Sequence, residues 1–369
     1  MAEPIEEVFL RLPPDLVEEV FYRLPPDELC CLFRASAVCK PWRRILVNPG
    51  FRHRYREFHR TALILGVFDE HGHFVPTSAP LPAQPDHPDR ILMDCRHGRV
   101  LFVSGNGGTE TSDLVVLDPV TGHHQLIPFP CNRWCCFSAA VLCAGQSCDH
   151  HGCQGGHFRV AVVCPKELDV VTLGWLYSSE TRLWTELTSV HHPKANYFSN
   201  MATPSVLVGD ALYFNIDGII ECQLGTLRLS MFERPVDGNG ILMTAEDRRL
   251  GFASVVDVTI LTLWSRDTAG LEGAMGWAKL RVIDLKTLLP DGALLIPPEY
   301  GISMLPRAWV SGFAEGTQVI FVSTLVGGSY MVDLMEERVR KVSYTGRKFF
   351  PYTSFYIPAM NAVPIDQGQ

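Results

Sequence analysis

Two rhythms of apolar and polar residues divide the chain near residue 60. Before that point apolar positions recur at the three- and four-residue spacing of helices buried along one face. Leu16, Val17, Val20 and Phe21 form the first such segment, opened by Leu12-Pro13-Pro14-Asp15 and closed by Leu24-Pro25-Pro26. Proline suits a helix start, where its missing N–H is not needed, and it pushes the residue before it out of the helical region. Asp27 is a natural cap for a second helix carrying Leu29, Leu32 and Phe33. A third helix, with Val38, Trp42 and Ile45 on one face, must begin within a residue or so of Pro41.

From residue 61 the period shortens. Short apolar runs alternate with Gly, Pro, Asp and Asn turns, as expected of many antiparallel strands. One unit recurs, an apolar pair followed by Asp or Ser and a polar turn. It ends at Asp69, Asp118, Ser178, Ser230, Asp284 and Asp333, with Ser230 the least regular copy. Intervals of about fifty residues built only of strand and turn are those of propeller blades of roughly kelch length. Six copies across residues 61–360 predict six blades, whose sheets, apolar on both faces, must stack around a ring. Tyr352 to Ile357 is the strand expected to complete the first blade.

Composition fits this division. With 47% hydrophobic residues in 369, the chain can fill a sizeable core, and Gly 30 and Pro 26 are counts that favour turns over long helices. A net charge of −8 gives no global attraction for nucleic acid or anionic membrane. Lys40 to Arg60 does hold seven Lys or Arg against Glu57 alone, read as a solvated helix face or one meeting an acidic partner. Glu3, Glu6 and Glu7 stand where a signal peptide would be basic, and the longest apolar run, residues 319–332, is too short to span a bilayer as a helix. The expectation is a cytoplasmic or nuclear protein (or both) whose 12 cysteines are reduced.

Three helices in so short a stretch cannot bury all their apolar surface alone. Leu12, Leu16, Val20, Leu24, Leu29, Val38 and Trp42 either form a docking face or pack on the chain's own C-terminal domain. Here the residues carry a resemblance. Leu12-Pro13-Pro14-Asp15-Leu16, Glu19-Val20, Arg23-Leu24-Pro25, Leu29, Arg34, Val38-Cys39-Lys40, Trp42-Arg43 and Pro49-Gly50-Phe51 resemble the F-box in order and spacing, with Cys30-Cys31 a departure where many members are polar or basic. The resemblance implies docking onto the Skp-type adaptor of a cullin–RING ubiquitin ligase. Leu12, Pro13, Leu16, Val20, Leu24, Pro25, Leu29, Val38, Cys39 and Trp42 would then form that interface or the small core beneath it. The implied organisation is a tail at residues 1–9, an F-box at 10–52, a linker at 53–60, a propeller at 61–360 and a tail at 361–369. Gly327-Gly328-Ser329-Tyr330 before Asp333, and Gly107-Gly108 before Leu117-Asp118, are similar to the glycine doublet of kelch repeats. The β region as a whole looks like the degenerate, kelch-like F-box-associated propellers of plants.

Little in the chain suggests chemistry. Cys148, His151, Cys153 and His157 are the four residues that would best complete a tetrahedral zinc shell. Their spacing matches no zinc module, and a glycine-rich loop insertion between strands is the expectation there. Gly105-Asn106-Gly107-Gly108 lacks the Lys-Ser or Lys-Thr of a phosphate loop. His123-His124 and His191-His192 read as surface turns, and an Asp repeated at several copies reads as a turn former rather than a catalytic acid. No cofactor is implied.

Two functions remain in play. One is a non-catalytic substrate-recognition subunit of a Skp–cullin–F-box ligase, its propeller holding a target protein through segments such as residues 131–134, 191–200 and 235–240. The other is a propeller enzyme or small-molecule receptor whose N-terminal helices oligomerise.

Overall fold

Among the described residues four helices precede the first strand. The computed structural model describes residues 12–24, 29–59, 64–77, 90–104, 113–119, 122–130, 137–145, 153, 156–166, 170–193, 203–267, 276–295, 307–344 and 346–353. Helix α1 is Pro14–Arg23, α2 Leu29–Val38, α3 Lys40–Val47 and α4 Pro49–His59. Proline opens α1 and lies in the first turn of α3, as the sequence required. The fourth helix corrects the expected linker at 53–60. Its Phe51 and Tyr55, one turn apart, are buried, so charged composition there hid a helical period.

All the remaining described elements but one short helix are strands, in six antiparallel sheets. The first joins β2 (Phe74–Pro76), β1 (Ile64–Asp69) and β24 (Phe349–Thr353), in that order. The second runs β3 (Arg90–Arg96), β4 (Arg99–Ser104), β5 (Asp113–Leu117), β6 (His124–Ile127). The third runs β7 (Ser138–Cys143), β8 (Phe158–Lys166), β9 (Val171–Ser178), β10 (Leu183–Glu186), with β11 (Val190–His191) also on β9. In the fourth are β12 (Val206–Val208), β13 (Ala211–Asn215), β14 (Ile219–Gln223) and β15 (Arg228–Phe232). In the fifth are β16 (Gly240–Thr244), β17 (Leu250–Val256), β18 (Ile260–Asp267) and β19 (Gly276–Asp284), followed by the short helix α5 (Leu285–Leu288). The sixth is β20 (Ala308–Ala314), β21 (Val319–Thr324), β22 (Gly328–Asp333) and β23 (Val339–Val342).

Neighbouring sheets touch along one edge strand each: β24 with β3, β3 with β7, β12 with β16, β16 with β20, and β20 with β24. These strands form the inner ring of a six-bladed β-propeller. Burial is high in the inner two strands of a blade and falls off at its outer edge. β4, β8 and β17 are buried almost throughout, whereas the outer β10 and β19 are largely exposed. That gradient is what a blade sandwiched between two others imposes, and it explains the turn-to-turn apolar runs in the sequence.

The number of blades matches the expectation, but the register of the repeat does not. Asp118, Ser178 and Asp333 do follow or end the third strands of their blades. Ser230 lies inside the fourth strand β15, Asp284 ends the fourth strand β19, and Asp69 ends β1, the second strand of the closing blade. Turn chemistry is shared by every bend of a blade, so the motif marks a bend without saying which. Asp284 and Asp333 act as expected, accepting main-chain N–H bonds from Lys286 and from Met335 and Glu336. The closing strand begins three residues earlier than predicted, at Phe349, and residues 354–369 lie outside the described part.

A repeat the sequence reading missed links the blades. Trp184 in β10 donates its indole N–H to the Pro128 carbonyl, 2.9 Å away, just beyond the outer strand of the preceding blade. Trp277 in β19 does the same to Glu233, just beyond β15, at 3.0 Å. Each tryptophan fastens the outer edge of its blade to its neighbour.

An exposed helical face and a cavity in the propeller channel

The small helical core is aromatic. Val17 and Phe21 on one side of α1, Leu32 and Ala35 on α2, Leu46 on α3, and Phe51 and Tyr55 on α4 are buried. Tyr22 stacks on Phe51 at 4.9 Å, and the Tyr55 hydroxyl donates to the Leu24 carbonyl at 3.1 Å. At the outer end Glu18 accepts hydrogen bonds from Tyr22 and Arg54. The Tyr22 bond leads in holding the Glu18 carboxyl below its ordinary value, against a smaller upward push from burial. Arg54, one of the seven basic residues of 40–60, is thereby tied to α1.

These contacts separate the ten residues singled out from the sequence. Leu16 and Val20 stand one turn apart on the solvent side of α1, 52% and 38% exposed, and Val38 at the end of α2 is 54% exposed. Pro13 is also exposed and Cys39 half-buried. Leu12, Leu24 and Trp42 instead pack against the buried cluster. Pro25 and the side chain of Leu29 lie outside the described residues. The buried cluster runs from the helices into the first three blades, while Leu16, Val20 and Val38 stay uncovered.

The second site is a cavity of about 790 Å³ in the propeller channel. Its wall comes from the last residues of inner strands and the turns after them: Arg96 and His97, Val208 and Gly209, Thr244 and Ala245, Glu315 and Gly316, and Thr353. Among these, Arg96 is 5% exposed and sits between two carboxylates. Its Nε lies 3.0 Å from Asp94 Oδ2, and its Nη1 3.5 Å from Glu315 Oε2. Its Nη2 donates to the Ser205 carbonyl and hydroxyl, at 2.5 and 2.8 Å. The Val141 amide donates to Asp94 Oδ2 at 2.9 Å. Burial raises the Asp94 and Glu315 carboxyls above their ordinary values, with the Arg96 charge pulling the other way.

Of the segments expected to hold a target, residues 131–134 and 194–200 lie outside the described residues. Residues 235–240 lead from β15, the outer strand of the fourth blade, to β16, the inner strand of the fifth, and so reach the end of β16 opposite to the turn that lines the cavity. Asp94, Arg96 and Glu315 were not singled out from the sequence; of the cavity wall only Asp333, as a turn former, and Thr353, within the expected closing strand, were. The available signal was Asp94-Cys95-Arg96 at the end of an otherwise apolar inner strand, where charges are tolerated only when paired.

The remaining chemistry candidates resolve differently. Cys148 and His151 lie outside the described residues. Cys153 is buried with its carbonyl against Gly98, and His157 is exposed. Among the described residues no group of three His, Cys, Asp or Glu could hold a metal. The Cys153 segment folds back on the β3–β4 turn, where Arg99 Nη2 donates to the Gly156 carbonyl at 3.0 Å. Cys164 is disulfide-bonded, which corrects the expectation that every cysteine is reduced. His192 is wholly buried rather than a surface turn residue, its Nδ1 2.8 Å from the Thr172 hydroxyl.

Comparison with known proteins adds one family. Residues 9–54 match the F-box domain. No curated protein sequence matches the chain. Solved structures similar to it include TolB from Acinetobacter baumannii, at 11% identity and a TM-score of 0.40, covering 83% of this chain and 71% of that one. The β-propeller domain of Myceliophteria thermophila Cps50 (Swd1) is similar at 11% identity and a TM-score of 0.39, over 76% and 82% of the two chains. Pyrococcus horikoshii acylaminoacyl peptidase is similar at 10% and 0.35, over 73% and 47%. The protein thus consists of an N-terminal helical F-box followed by an all-β, six-bladed propeller.

Proposed function

We propose that this protein is a non-catalytic substrate-recognition subunit of a Skp–cullin–F-box ubiquitin ligase. The observation that carries the reading is an F-box match over residues 9–54 whose helices leave Leu16 and Val20 exposed on α1, in one chain with a propeller. The uncovered face would bind the Skp-type adaptor, and the propeller would hold a target protein. Catalysis by such a subunit is proximity: it raises the effective concentration of a target lysine beside a thioester carried elsewhere. No side chain of this protein then has to form or break a bond. The reading places the protein in the cytoplasm, the nucleus or both. It extends to the plant, kelch-like type of propeller. Gly327-Gly328 supports that extension: Gly327 ends the turn between the second and third strands of the last blade and Gly328, with φ +103°, opens the third.

The test is an affinity titration of the full chain against a purified Skp-type adaptor. Leu16→Ala and Val20→Ala should each weaken binding by about tenfold or more without changing the far-ultraviolet circular dichroism. A folded wild type that does not bind the adaptor would overturn the reading.

A further inference from the structure

We propose that the channel cavity binds a lysine- or arginine-bearing peptide segment, the basic side chain meeting Glu315 and Gln318 and a peptide carbonyl meeting Arg96. The inference deepens the proposed function and rests on it, since such a segment would belong to the target protein.

The argument starts from charge. Buried Asp94 and Arg96 and half-buried Glu315 sum to one negative charge, and a charge so poorly solvated favours a counter-charge. Across the whole wall, five carboxylates face two arginines. Two rim carboxylates are already engaged outward, Glu246 with Arg281 and Glu336 with Arg338. Asp94 and Glu315 share one arginine, which lies 3.0 Å from Asp94 and 3.5 Å from Glu315, so Glu315 is the less fully neutralised of the two.

Hydrogen bonding then narrows the ligand. Gln318 Oε1 is buried on the cavity wall with no donor to accept from. It asks for an N–H, as Glu315 does. Arg96 Nη1 is also buried without a hydrogen bond, its approach to Glu315 being an ion-pair contact at 3.5 Å. It asks for an oxygen acceptor. Unmet buried groups of both kinds are costly, and a ligand that satisfies them recovers that cost on binding. An ammonium or guanidinium supplies the donors and the positive charge, and the peptide group near it supplies the acceptor. An acidic segment would satisfy Arg96 but add a third carboxylate beside Glu315. A purely apolar one would satisfy none of the three.

The probes are N-acetylated, C-amidated peptides Gly-Gly-X-Gly-Gly with X as lysine, arginine, norleucine or glutamate, titrated by calorimetry into the full-length protein at millimolar concentration. The lysine and arginine peptides should bind saturably at one site per chain, and the norleucine and glutamate peptides should not. Glu315→Gln should weaken that binding by about tenfold, because it removes the charge but keeps the shape. Gln318→Leu should weaken it less. Melting curves on both variants separate lost binding from lost folding. No saturable binding, equal binding of the norleucine peptide, or binding unchanged in a folded Glu315→Gln would overturn the proposal. Adaptor binding measured on the same preparations keeps the two readings apart: adaptor bound with the basic peptides ignored sinks only this inference, and the reverse sinks the ligase reading.

Discussion

Trp42 stands edge-on to Phe21, the two ring centroids 5.4 Å apart and their planes at 82°. This T-shaped contact joins α3 to α1, and Phe21 meets Phe51 of α4 in the same manner at 6.4 Å. Trp42 is therefore a keystone of the helical core, whereas Leu16 and Val20, on the same α1 as Phe21, face outward.

The two roles respond differently to truncation. Trp42→Ala should cost about 3 kcal/mol of stability and lower the unfolding temperature of the helical part. Leu16→Ala and Val20→Ala should leave that temperature within a degree or so. Differential scanning calorimetry reads both. An unchanged transition in Trp42→Ala would refute the packing assigned to it.

At the seam of the ring, Asp69 of β1 accepts bonds from the Tyr344 hydroxyl at 2.7 Å and from the amides of His71 and His73. Burial alone would raise this carboxyl, but these bonds and the His73 ring outweigh it, so it lies below its ordinary value. The Tyr344 hydroxyl is correspondingly pushed up to about 12. A lowered carboxyl contributes stability above its unfolded value of about 4, and that stability drains away as pH falls through the lower folded value. Tyr344→Phe should thus cost about 1–2 kcal/mol near neutrality, with the gap to wild type narrowing below about pH 4. Melts across a pH series would show it, and a constant gap would count against the assignment.

Arg96 makes the opposite case. Arg96→Gln leaves the buried Asp94 and the half-buried Glu315 without their counter-charge, and should cost about 3 kcal/mol near neutrality. Both carboxyls, already above their ordinary values, would rise further, so the folded state binds protons that the unfolded state has released. Stability from a raised carboxyl is present at low pH and lost as pH rises through the folded value. The variant should therefore melt higher at about pH 5 than at about pH 7. A flat or inverted profile would contradict this.

Gly98 turns β3 into β4 with φ +71°, and a Cβ there would come within 2.4 Å of the Cys153 carbonyl. Gly98→Ala meets both a backbone penalty and a main-chain clash that no rotamer relieves. It should destabilise by about 2 kcal/mol or more, whereas Gly122→Ala, at φ +70° with nothing within 4 Å, should cost less. Denaturant midpoints of the two variants provide the comparison.

Local pattern carried much of this fold into the sequence. The first three helices and their prolines, the turn-bounded apolar runs and the repeat of about fifty residues were legible because each depends on neighbours in the chain. The register was not, since Asp284 and Asp118 obey the same turn chemistry at different bends. Helix α4 was obscured by its arginines, although Phe51 and Tyr55 keep a helical spacing. The cavity was beyond reach for another reason: Asp94 and Arg96 of the second blade meet Glu315 of the sixth only after three whole blades have been laid down between them. Which F-box residues face outward was likewise unreadable, because Val17 and Leu16 are equally apolar and only packing tells them apart.

The pairing of β24 with β1 sets the order of events during synthesis. Residues near 64 wait for partners near 353, so the ring stays open until almost the whole propeller has left the ribosome, while the helices are free to fold early. A message cut short anywhere in the blades therefore yields a complete F-box on an unclosed ring, with β1 exposing an unpaired edge. If the protein has the function proposed above, such a fragment would occupy adaptor without delivering a target, so that nonsense alleles would act dominantly for as long as the fragment escaped aggregation and degradation.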